Sequence, residues 1–217
     1  MSKSRGTFIQ VQTYLKHLDP QYLRYYFAAK LTSKTEDIDL NFEDFINRVN
    51  ADLIGKVVNI ASRSCSFINT HFNHRLANHL HEPALYDTLL KAQTIISQAY
   101  LNRDYAQAMR YIMEQATLVN QYLEKHQPWR LAKDPQTLPE VQPICTLSLN
   151  AFRLLMTYLK PVLPTMAHAV ETLLNIPPMT FENAAPPLLD HTIRPFSPLL
   201  QRLRPEQLQA LQEACKP

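Results

Sequence analysis

From Asn41 onward the apolar side chains recur by threes and fours: Phe42, Phe45, Ile46, Val49, Leu53, Val57, Ile60 and Phe67. This is the period of one face of an α-helix. It predicts a helix of about 28 residues, some 42 Å long at ~1.5 Å per residue. Asn41 and Asp44 stand where an N-terminal cap pair belongs. Gly55 falls inside this helix, where glycine costs ~1 kcal/mol against alanine. It is expected to mark a kink or a close helix crossing.

The same period returns downstream. Pro83 opens a helix to about Asn102, and Asp104 caps the next, with Met109, Ile112, Met113, Ala116, Val119 and Leu123 inward. Gln127-Pro128-Trp129 ends that helix abruptly. Residues 134–139 read as a loop, and 140–160 as a helix stopped by Pro161. Pro164 opens another, to about Asn175, and 176–204 is irregular, proline-punctuated chain before a short helix from Pro205. Upstream, 7–18 fits a short helix, and Asp19-Pro20 starts a second with Leu23, Tyr26, Phe27 and Leu31 on one face. The stretch 33–40 alternates too briefly for more than a short strand or an extended connector. The expected architecture is mainly all-α: a helical bundle over 46–175, a small mixed segment over 1–45, and an irregular segment with a short helix over 176–217.

Composition narrows the function. Only two of 217 residues are glycine, Gly6 and Gly55, where average usage would give roughly fifteen. No glycine-rich phosphate loop can be written with them. No apolar run reaches membrane-spanning length, and the basic start lacks the apolar stretch of a secretory signal. Cys65, Cys145 and Cys215 are widely spaced and odd in number, which argues against a zinc site or a disulfide framework and for a reducing, cytoplasmic compartment. A net charge of +3 permits nucleic-acid binding without requiring it.

Candidate chemistry is sparse. His71, His74, His79 and His81 cluster, but after a helix end and without carboxylates or cysteines at ligand spacing. A surface connector is the favoured reading, and no metal site is expected. Glu36, Asp37 and Asp39 read as a charged turn rather than an acid–base pair. More informative are Asn59 and Arg63, four apart and therefore side by side on the long helix. They share a face with Asp52, Lys56 and Ser66. The sole tryptophan, Trp129, follows Pro128 at a helix end. The pair fits a solvated helix face, and the indole fits a cap on the core. Together they also form a toolkit for reading an unstacked base: an aromatic plane plus planar hydrogen-bonding groups.

A resemblance favours the last reading. Met1-Ser2-Lys3-Ser4-Arg5-Gly6 resembles the K-M-S-K-S loop of class I aminoacyl-tRNA synthetases without its leading lysine. Then follow, in order, Leu23-Arg24-Tyr25-Tyr26, Asp37-Ile38-Asp39-Leu40-Asn41, Arg48 to Leu53, Lys56 to Arg63, Gln127-Pro128-Trp129, and Phe152 to Pro164. This series is similar to the C-terminal half of bacterial-type methionyl-tRNA synthetases over nearly the whole chain. The family joins methionine to its tRNA with ATP and magnesium, through a Rossmann domain carrying H-I-G-H and a zinc-bearing connective region. Neither signature occurs here. The resemblance therefore implies the end of the signature loop and a stem-contact segment (1–45), the anticodon-binding bundle (46–175) and the C-terminal segment (176–217).

It further implies no cofactor held by this stretch, and no methionine activation by it alone. Lys3 falls on the signature-loop lysine that stabilises ATP phosphates. Asn59, Arg63, Pro128 and Trp129 fall on anticodon-reading positions, Trp129 stacking on the first base of CAU. The implied partners are tRNA carrying that anticodon and the enzyme's own catalytic domain, with no membrane or DNA. Arg130 departs from the family pattern, in which an apolar residue often follows the tryptophan. The alternatives are the equivalent domain of a leucine, isoleucine, valine or cysteine synthetase, or a non-catalytic helical interaction module.

Overall fold

The computed structural model describes residues 10–34, 38 and 40–214, and among these it is helical, without a β-strand. The helices are α1 (Val11–His17), α2 (Pro20–Ala28), α3 (Phe42–Val49), α4 (Asn59–His71), α5 (Pro83–Leu101), α6 (Tyr105–His126), α7 (Pro128–Leu131), α8 (Leu138–Leu159), α9 (Pro164–Leu174) and α10 (Pro205–Ala214). Starts follow side-chain chemistry. Asp19 accepts from the Gln21 amide at 2.8 Å, Asn41 from Asp44 at 3.0 Å and Asp104 from Gln107 at 3.1 Å, each satisfying an orphan helix N–H.

The long helix is real but not uniform. Between α3 and α4 the backbone stays helical through Asn50–Val58 in wider, π-helical turns. Gly55 sits in this π segment, where an added Cβ would come within 3.2 Å of the Asn50 carbonyl oxygen. The glycine thus relieves crowding inside its own helix, and the helix crossing anticipated for it is not the reason it is there. The wider turns also shift the face that follows. Cys65 and Ile68 point inward, while Phe67 is only half-buried. Leu31, placed on the apolar face of α2, is exposed, and Tyr22 and Tyr25 take the core positions instead.

Helix α8 is the axis of the bundle, with α4, α5, α6, α7 and α9 packed around it. Nearly every residue from Val141 to Leu159 is buried. Its polar members bond back along the helix: Ser148 to the Ile144 carbonyl, Asn150 to Thr146 and Thr157 to Arg153.

Residues 176–204 lack regular structure yet are fastened to this axis. Arg153 donates to the Ala184 carbonyl at 2.7 Å and also to Pro186 and the Tyr86 hydroxyl. Asn150 both donates to the Leu188 carbonyl and accepts its amide. Asn50 does the same for Leu203, at 2.9 Å each way. Helix α10 then packs on α1. Buried backbone groups need partners, and here side chains provide what a sheet would otherwise supply. Among the described residues, no helix is long and apolar enough to cross a membrane.

Candidate nucleic-acid interface

Asn59 lies at the junction where the π segment hands over to α4. That junction is held from the side by Asn120 of α6, whose Nδ2 donates to the Lys56 carbonyl at 3.1 Å and to Ala116 at 2.8 Å. One turn on, Arg63 projects from α4 and its Nη1 meets the Glu124 carboxylate of α6 at 3.0 Å. Asp52, expected on the same polar face, is turned toward α2, where it accepts from the Tyr25 hydroxyl at 2.8 Å.

Trp129 reaches the same place by another route. Helix α6 stops at Gln127, which adopts a left-handed conformation with φ 45°. Its amide still closes on the Leu123 carbonyl at 2.8 Å. Pro128, buried and preset in φ, then starts the single turn α7. The sequence presented this as a plain break, because a proline after a helix usually is one. Trp129 is half-buried, packed against the core. The Arg63 guanidinium lies over its ring, 4.9 Å from the centroid, at cation–π distance. Arg130 and Lys133 stand exposed beside it.

Four sequence-nominated residues thus divide as follows. Arg63 and Trp129 touch, Pro128 shapes the turn that places Trp129, and Asn59 lies one helical turn before Arg63. Glu124 and Asn120 were not anticipated. Both look like ordinary polar positions of an amphipathic helix until α4 is set against α6. Lys3, Glu36, Asp37 and Asp39 lie outside the described residues.

Burial pushes the Cys65 thiol up to about 12 and drives Cys145 upward as well, so neither is a thiolate nucleophile. A cleft of about 630 Å³ lies between α2, the π segment and α6. Its walls mix Arg48, Lys56 and Arg110 with Asp52, Asp104 and Glu114, and the Arg63–Trp129 pair is not part of it. Such cancelling charge gives an anion little hold.

The family described as tRNA synthetases class I (M) matches residues 1–65. The methionine–tRNA ligase of Vesicomyosocius okutanii subsp. Calyptogena okutanii is 50% identical over 216 residues, covering 100% of this chain. Over its whole length the chain is similar to part of a methionyl-tRNA synthetase. It spans 40% of that relative's length. Methionyl-tRNA synthetase of Mycobacterium tuberculosis in complex with methionyl-adenylate superimposes with a TM-score of 0.84 at 21% identity, over 92% of this chain and 41% of that one. Its apo form gives a TM-score of 0.79 at 20% identity, over 88% and 40%. At that identity the likeness establishes the all-α fold.

Proposed function

We propose that this chain reads the CAU anticodon of tRNA, as part of a methionyl-tRNA synthetase that ligates methionine to its tRNA with ATP. The observation that supports it most is the meeting of Arg63 and Trp129 from separate elements, at a half-exposed edge of the bundle. An aromatic face offers ~1–3 kcal/mol to a stacked base. A neighbouring guanidinium fork and the Asn59 amide supply donors and an acceptor for base edges. Pro128 fixes the turn, and exposed Arg130 and Lys133 supply charge for phosphates. Recognition of this kind needs a splayed, unstacked base, as an anticodon loop offers.

Within the complete enzyme, Lys3 would stabilise ATP phosphates, and the catalytic domain would be this bundle's partner. This stretch carries no His-Ile-Gly-His, and we infer that it does not activate methionine by itself. Buried, unpaired Cys65 and Cys145 fit a cytoplasmic setting. Titrating the chain with anticodon stem-loops tests the proposal. Preferential binding of CAU over other anticodons is expected. Equal affinity for all loops would overturn it, and RNA-independent partner binding with no RNA affinity at low salt would favour an interaction module.

A further inference from the structure

The connector that the sequence presents as solvated histidines ends in a cluster assembled from two elements. His81 and Glu82 lead into α5, and His126 is the last residue of α6. The His126 Nε2 lies 2.8 Å from the Glu82 Oε1. The His81 and His126 rings meet edge to face with centroids 4.6 Å apart. One nitrogen of each imidazole and one Glu82 oxygen all lie within 4.8 Å of one another. Tyr122, one turn before His126, walls the cluster with its ring 4.7 Å from His126 and 6.0 Å from His81. His71 and His79 stay exposed, and His74 is engaged by Asn69 at 2.9 Å.

We propose that His81, Glu82 and His126 bind a divalent transition-metal ion of the zinc class. Two imidazoles and one carboxylate suit zinc, cobalt or nickel rather than calcium or magnesium, which require oxygen donors. Three protein ligands leave a fourth position for water. Metal–nitrogen bonds of about 2.0–2.1 Å in a tetrahedron place ligand atoms about 3.4 Å apart. The His126 nitrogen and the Glu82 oxygen are already 2.8 Å apart, and binding would require the exposed His81 ring to turn its nitrogen in from the present spacing. Lys125 competes, because its ammonium sits 2.8 Å from the same Glu82 oxygen. That pair is on the surface, where such contacts are weak, so an ion binding two imidazoles displaces it. The bound ion would cross-link the start of α5 to the end of α6, directly ahead of Gln127.

The test uses the untagged chain, stripped with chelator and titrated with Co²⁺ while visible absorption is followed. Expected is a 1:1 four-coordinate spectrum that Zn²⁺ displaces. His81→Ala and Glu82→Gln should each weaken Co²⁺ by at least about tenfold, and His71→Ala with His74→Ala should leave it unchanged. Lys125→Met should tighten binding several-fold, an outcome that stray surface histidines would not produce. His126→Ala is interpreted only if the helical signal is retained, and His81→Ala, on an exposed side chain, decides the matter otherwise. Absence of a Co²⁺ spectrum overturns the proposal. So does a spectrum indifferent to His81→Ala and Glu82→Gln, or one lost with His71 and His74, or one carrying sulfur-to-cobalt charge transfer.

Discussion

Arg63 reaches from α4 to cover Trp129, its guanidinium carbon 4.9 Å from the indole centroid, while Nη1 of the same group holds Glu124 at 3.0 Å. A base that stacks on the covered part of the ring must share it with the guanidinium or move it. An exposed cation–π contact is worth ~0.5–1 kcal/mol, and an exposed ion pair ~0–1 kcal/mol. Stacking returns ~1–3 kcal/mol per base. Rearrangement of Arg63 is therefore affordable, and Glu124 sets its rest position.

Glu124→Gln should then leave stability almost untouched, because both partners of the pair are largely exposed. Chemical denaturation should register a change within about 0.5 kcal/mol. On the proposed reading, removing the carboxylate beside Arg63 should tighten stem-loop binding by about twofold at low salt. Weaker binding would mean that Glu124 orients Arg63 for the base rather than restraining it.

Arg153 holds the irregular segment to the bundle axis through the carbonyls of Ala184 and Pro186. Arg153→Met keeps much of the volume and leaves the Pro186 carbonyl without its donor, while Ala184 keeps only the Tyr86 hydroxyl, at a cost of about 1–3 kcal/mol. Limited proteolysis should cut the variant within 180–190 while the helices remain intact. Cleavage no faster than in the parent chain would show that apolar packing alone secures the segment.

Glu171 gives a pH signature. Burial raises its carboxyl pKa, but the Lys160 ammonium at 2.6 Å and the Met179 amide at 2.7 Å lower it, and the net position is below the usual 4.5. A carboxylate depressed by folding stabilises the fold above its unfolded pKa and loses that contribution as pH falls through the folded one. Thermal melting should therefore decline below about pH 4.5. Glu171→Gln should be less stable at neutral pH by about 2–3 kcal/mol and show a shallower acid decline. An unchanged acid profile would place the acid sensitivity at other carboxylates.

How much of this was legible in the sequence differs by feature. Asp19, Asn41 and Asp104 before helices, and Pro20, Pro83, Pro164 and Pro205 at their first positions, announced most boundaries, because capping is local chemistry. The π segment at Asn50–Val58 was not legible: wider turns use the same residues as an α-helix, and only Gly55 hinted at them. The order of 176–204 was hidden for another reason. Its fasteners, Asn50, Asn150 and Arg153, lie far away in sequence, inside helices otherwise marked by their apolar pattern. At the interface, each half could be nominated along its own element, but the Arg63–Trp129 contact and Glu124 required the packing of α4 on α6. The His81–Glu82–His126 cluster was not legible because His126 lies at the far end of another helix, 44 residues from Glu82.

The central claim is tested most directly by measuring affinity for a CAU stem-loop and for loops differing only at its first base, in the parent chain and in Trp129→Ala. The parent is expected to prefer CAU. The variant should lose about 1–3 kcal/mol toward CAU and most of that preference, with its helical signal unchanged. A parent chain that binds all the loops alike, or a Trp129→Ala variant that keeps full CAU affinity and preference, would contradict it.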